Sequence, residues 1–425
     1  MSATDVMVSK RRTGIPLERI QKLMLWLMFF MGWLVIIEPS PSDILFMLVV
    51  VIFLFSGLVI HATAAPMILF LLLYNLGGFI SFLEVSNQTK ASLFVVTSFY
   101  MATTAIFLAF LIPADPAGRM ATIRNAWIIA AVIGAINGMI GYFGLFGLHD
   151  AWAPISRAQG TFKDPNVLST FLLSPAIFLI QGFLLGTQKW RAVSAISLLI
   201  ILAGIFLAFS RGAWMNFLLC SLLLVCVSYV VAESKKVRAR IVILVLVGVI
   251  AGAILLAILL SIPQVRDLFL QRASLLQEYD AGETGRFGTQ LRSIPLLLER
   301  PFGFGPTFFR QVFGQDPHNV YMNAFASYGW LGGFSYLLLC LSTIAVGWKV
   351  MFTRTPWQHA GIAVFLPLFT TMLQGVQIDT DHWRHFYVLV GLTWGFYGAT
   401  ANYQRMMNAR SVPINSTGVP TPTSS

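Results

Sequence analysis

Residues 241–262 read IVILVLVGVIAGAILLAILLSI, and Lys235, Lys236, Arg238 and Arg240 stand immediately before them. About 20 consecutive apolar residues is the length at which a helix crosses a hydrocarbon core roughly 30 Å thick. No charge interrupts this run. It reads as a membrane helix with a basic flank, and the rest of the chain repeats the pattern. The composition agrees, at 57% hydrophobic and only 11% charged, against roughly 25% charged in soluble domains. Backbone polar groups must be satisfied internally in lipid, so the spans are expected to be helices. The ten-residue alternation of an outer-membrane barrel is missing. The fold class is therefore an all-α polytopic membrane protein.

Twelve spans are expected, at 20–37, 43–60, 66–83, 91–112, 126–148, 167–186, 192–209, 213–232, 241–262, 319–347, 359–375 and 385–402. The organisation that follows is a tail over 1–19, a membrane domain over 20–402 and a second tail over 403–425. The first span has no small-residue cleavage site behind it and is expected to be retained. Ser, Thr and Pro after Arg410 predict a disordered C-terminal end. Most of the 28 Lys and Arg residues fall on one side when the N-terminus is inside. The positive-inside rule then places both termini in the cytoplasm. The net charge of +11 is explained by these basic flanks and does not indicate nucleic acid. The three cysteines, Cys220, Cys226 and Cys340, lie within apolar spans and read as small core residues.

One long loop, 263–317, precedes the tenth span. Within it Phe287, Leu291, Ile294 and Leu298 recur at helical spacing, which predicts a short amphipathic helix on the membrane surface. Pro295 predicts a kink or break in it. Pro301-Phe302-Gly303-Phe304-Gly305-Pro306 reads as a turn; no strand precedes it, so it is not a phosphate-binding glycine loop.

The polar stretches with chemical character all fall on the side opposite the basic flanks. Arg157 lies in RAQGTFKDPN (157–166) with Lys163, Asp164 and Asn166, and Arg211 lies in SRGAW (210–214). Gly285-Arg286 and His318-Asn319 complete the set. Asp164 and Asn166 precede an apolar run, where helix capping competes with a ligand role. Arginine binds phosphate through a planar fork of donors. The competing readings are a solvated charge for Arg157 and Arg286 and a snorkelling side chain for Arg211. His318 is the natural proton acceptor, because an unperturbed imidazole titrates near pH 6.5. A second cluster, DTDHWRH (379–385), offers Asp381, His382 and Arg384 for substrate contact or structural support. Its alternative is interfacial anchoring, with Trp383 in the aromatic belt. No metal-ligand spacing is present.

In order and spacing, these motifs resemble the O-antigen ligase and polysaccharide polymerase superfamily over residues 150–345, with Gly329 following His318-Asn319 after nine intervening residues. The resemblance implies a metal-independent glycosyltransferase of the bacterial inner membrane that needs no cofactor. Its donor would be an oligosaccharide on undecaprenyl diphosphate. Its acceptor would be a glycan or lipid A–core, and other polysaccharide assembly proteins would be its partners. The active face would be periplasmic. His318 corresponds to the family's essential histidine, and Arg157, Arg211 and Arg286 to its arginines. Two alternatives stay open within the superfamily, polymerase and ligase; the 379–385 cluster and the compact loop favour an exopolysaccharide polymerase. A transporter or flippase is the alternative of another class. Against it, the spans carry almost no charge at mid-depth and show no repeated half.

Overall fold

The computed structural model describes residues 17–273, 282 and 285–410. Of the expected tails at 1–19 and 403–425, residues 1–16 and 411–425 lie outside the described residues, Lys10, Arg11 and Arg12 among them. The described chain is all helix, without a strand. The helices are α1 (Leu17–Phe30), α2 (Pro41–Phe55), α3 (Ala65–Phe82), α4 (Thr89–Leu111), α5 (Pro116–Tyr142), α6 (His149–Trp152), α7 (Pro165–Leu185) and α8 (Arg191–Leu207). They continue with α9 (Arg211–Val231), α10 (Lys235–Leu260), α11 (Pro263–Ala273), α12 (Arg286–Leu298), α13 (Phe309–Phe313), α14 (Val320–Phe352), α15 (Gln358–Gln374) and α16 (Arg384–Arg410).

Among the described residues, seven stretches are long and apolar enough to cross a membrane: Ala62–Val85, Thr89–Ala114, Pro116–Tyr142, Pro165–Leu185, Arg211–Val231, Lys235–Leu260 and Val320–Phe352. Pro41–Phe55 and Arg191–Leu207 are apolar but shorter. The remaining expected spans fall on α1, α15 and α16. The last of these continues past the expected end at residue 402, so 403–410 is helix rather than tail.

Local sequence starts these helices. Ser40 and Asp43 form a capping box at α2, with Pro41 in the first turn. Asp115 caps α5 by accepting from the Gly118 amide at 2.9 Å, and Ser234 caps α10 by accepting from Val237. Burial then sorts them. α7 sits at the centre with nearly all its residues covered, Leu168, Leu172 and Ile177 among them. α10 lies at the periphery and exposes Ile243, Leu246, Val249 and Ile254. An apolar helix left uncovered on this scale needs lipid around it. α3 and α14 make the tightest pair: a Cβ at Gly77 would stand 2.6 Å from the Gly332 amide nitrogen, so only a residue without a side chain fits there.

One end of the bundle gathers the starts of α2, α7, α9, α14 and α16 and the ends of α8 and α15. Arg384 reaches Asp43, the Val320 amide donates to the Gly375 carbonyl, and Ala158 donates to Leu207. The long loop folds onto this end. Trp330 donates to the Pro301 carbonyl at 2.8 Å, which packs the 301–306 turn against a kink in α14 at Gly329. α12 runs through Pro295 without the expected break, because the proline lies in its last turn. Its apolar residues Phe287, Leu291 and Leu298 are exposed, whereas Thr289 and Ser293 face the protein and are buried.

Candidate active site

A cavity of about 280 Å³ opens at that end. Arg157, Arg211, Arg272 and Arg286 line it, together with Asn166, Ser210, Gln374 and Gln377. Three of these arginines are the ones expected from the sequence, brought together from the loop before α7, the α8–α9 turn and the start of α12. No carboxylate stands among the described lining residues. A guanidinium group presents a planar fork of donors that matches phosphate and carboxylate oxygens, so a space lined by four of them suits an anion.

Each arginine has a structural reason for its position. Arg157 is 8% exposed; its Nε donates to the Ala208 carbonyl at 2.8 Å and its Nη2 to Asn166 Oδ1 at 3.1 Å. Asn166 is held in turn, since its amide donates to the Asp164 carboxylate at 2.7 Å. Asp164 is thus the α7 N-cap and takes no place in the cavity lining. Arg211 opens α9 after a turn in which Phe209 adopts a left-handed φ of 45° and Ser210 caps by accepting from the Ala213 amide. Arg286 opens α12. Two helix N-termini therefore meet the cavity, and their dipoles add positive potential.

Gln374 and Arg272 complete the lining. The Gln374 carbonyl oxygen accepts from Asn216 Nδ2 and from Thr170 at 3.4 Å. That fixes the amide so that its Nε2 is left to donate elsewhere. Gln374 is a site residue that the sequence reading did not single out; a lone amide at the end of an otherwise apolar helix is the available signal. Asn216 bridges α9 and α15, whereas Asn75 donates to Leu71 of its own helix.

His318 is not among the cavity-lining residues but stands next to them. It adopts a left-handed φ of 50°, a conformation that costs a non-glycine residue energy and persists only when its surroundings hold it. They do so from two sides. The His318 and Asn319 amides each donate to one oxygen of Asp379 at 3.1 Å. From α12, Gln290 donates to the Pro317 carbonyl at 2.9 Å. Asn319 caps α14 by accepting from the Tyr321 and Met322 amides. Asp379 directly follows Gln377 and Ile378 of the cavity wall. Burial, reinforced by nearby Asp381, pushes its carboxyl up to about 8 despite the two amides.

The remaining expected residues lie elsewhere. Lys163 pairs with Glu38, and Arg384 makes a two-pronged ion pair with Asp43 at 3.0 and 2.9 Å. Buried Asp381 accepts from His382 Nδ1 at 3.0 Å and from Asn323 at 3.2 Å. None of these lines the arginine cavity. Trp383 is buried in the core and is no aromatic-belt residue.

Residues 196–337 match the family model described as O-antigen ligase. Over that segment the chain is similar to the O-antigen ligase family. The match covers about a third of the chain, from within α8 into α14. The matched segment includes Arg211, Arg272, Arg286 and His318, and the match supports the wider superfamily of O-antigen ligases and polymerases, whose function lies in surface polysaccharide synthesis. Arg157, Gln374 and Asp379 reach the same site from outside the matched segment. No curated protein matches the chain.

Proposed function

We propose that the protein is a glycosyltransferase of the bacterial inner membrane. It transfers a glycan from undecaprenyl diphosphate to an acceptor hydroxyl on the periplasmic side, in polymerisation or ligation of a surface polysaccharide. The observation that carries this reading is the convergence of four arginines on one cavity beside His318.

In the reaction, the acceptor oxygen bonds to the anomeric carbon, the bond from that carbon to the phosphate oxygen breaks, and the hydroxyl proton passes to His318. The lipid diphosphate leaves with added negative charge. Arg157, Arg211, Arg272 and Arg286 stabilise that charge, most strongly where water is scarce. His318 acts as general base, and Asp379 and Gln290 position it through its backbone. The exposed apolar face of α12 rests on the outer membrane surface and keeps Arg286 level with the lipid headgroups. Both termini are then cytoplasmic. The 379–385 cluster supports an exopolysaccharide polymerase over a ligase acting on lipid A–core.

The test is the length of glycan left on undecaprenyl diphosphate in a deletion strain, read by lipid extraction and mass spectrometry. Single repeat units identify a polymerase, and long chains beside free lipid A–core identify a ligase. An unchanged lipid-linked pool refutes the reading.

A further inference from the structure

A second cavity, of about 370 Å³, lies among α1, α2, α4, α5, α7 and α16, and it shares no lining residue with the arginine cavity. Its volume is in the roughly 300–1,000 Å³ range of small-molecule sites. Its character is the reverse of the first. Met28, Phe29, Phe46, Met101, Trp127 and Phe171 form an apolar wall. Charged residues then gather where α2 and α16 begin: exposed Lys90, the Lys163–Glu38 pair and the Asp43–Arg384 pair. Glu38 and Asp43 offset two of these three cations, which leaves one positive charge in excess. His385 also lines the cavity; it is 5% exposed, and its Nε2 has no hydrogen-bond partner. An apolar wall offers water too few partners to hold it, and this cavity belongs to a bundle surrounded by hydrocarbon chains.

We propose that this cavity is a second ligand site, which takes one hydrocarbon chain of an anionic lipid against the apolar wall and the headgroup at Lys90 and Lys163. The assignment stands independently of the chemistry proposed for the arginine cavity. Two sources supply such a ligand, a phospholipid of the surrounding bilayer and a polyprenyl phosphate.

The experiment uses the purified full chain in detergent. The probe is lysophosphatidylglycerol with a photoactivatable diazirine in its chain, and labelled peptides are mapped by mass spectrometry. The expected result is saturable labelling of α1, α4 and α7 at the cavity wall. Gly32→Leu should reduce it at least fivefold. A Cβ there meets only the Phe171 ring, at 3.6 and 3.8 Å, so the new side chain enters the cavity without displacing backbone. Thr97→Phe, on the opposite wall, serves as a second blocking variant. Lys90→Glu combined with Lys163→Glu should weaken labelling by this probe and spare the choline-headgroup analogue. Competition by polyprenyl phosphate assigns the site to that carrier, and competition by phosphatidylglycerol assigns it to membrane lipid. Labelling of the wild-type protein that does not saturate and spreads over outward helices such as α10 overturns the proposal whether or not the variants fold. Labelling indifferent to the two lysines overturns the headgroup assignment.

Discussion

Arg157→Lys keeps the charge at the cavity but not the geometry. In the native chain one guanidinium donates to the Ala208 carbonyl at the end of α8 and to Asn166 at the start of α7, and still faces the cavity. An ammonium is a point charge and cannot hold both partners while presenting a planar edge to a phosphate. A hydrogen bond from a charged donor contributes about 1.5–3 kcal/mol. Losing one such contact in the transition state corresponds to a roughly ten- to 150-fold fall in rate. Arg157→Ala removes the donor altogether, and the fall should approach the ~10²–10³-fold typical of a deleted oxyanion donor. The assay is glycan transfer by purified enzyme under single-turnover conditions, with thermal unfolding measured alongside. A lysine variant within threefold of wild type would show that Arg157 is a solvated charge, and the phosphate-fork argument would fail for it.

Other outcomes follow from the same geometry. Gln374→Leu removes a cavity donor and leaves Asn216 Nδ2 only its longer bond to Thr371, so transfer should drop about ten- to a hundredfold for the loss of roughly 1.5–3 kcal/mol, with the change seen in kcat; a wild-type rate excludes the amide from the site. Gly329→Ala places a Cβ 2.5 Å from the Pro301 carbonyl at a φ of +64°, and should destabilise the fold by about 3 kcal/mol or more; an unchanged melting temperature contradicts the packing of the 301–306 turn on α14. Asp379 holds its proton more tightly folded than unfolded, with its carboxyl pushed up to about 8. Its stabilising contribution is complete at acid pH and is lost as pH rises through 8. Melting temperature should therefore fall from about pH 5 to pH 8 and level off above, and Asp379→Asn should flatten that slope; equal slopes in both proteins defeat the assignment.

Much of the architecture was legible because lipid imposes a length and a composition on each crossing. One cap was legible for the same local reason: Asp164 precedes an apolar run and accepts from the Asn166 amide two residues on, whereas Ser210 and Asn319 cap in the same way without having been read as caps. The shared destination of Arg157, Arg211 and Arg286 followed from topology, since odd and even crossings alternate sides. Lys163, Asp381, His382 and Arg384 were read as substrate candidates because their partners are distant in sequence. Glu38, Asp43 and the Phe94 carbonyl satisfy them, and no local pattern announces such pairs. The clamp on His318 was hidden likewise, since Asp379 arrives from 60 residues away. Gln374 was missed because a single amide in an apolar helix has no periodicity to betray it.

The central claim is that His318 draws a proton while the arginine cavity receives the departing diphosphate. The most direct measurement is release of polyprenyl diphosphate from a lipid-linked glycan by purified wild-type protein and by His318→Ala, with donor binding measured in parallel. The account predicts that the alanine variant binds donor as wild type does and releases none above the uncatalysed background. Release at the wild-type rate by His318→Ala would contradict it.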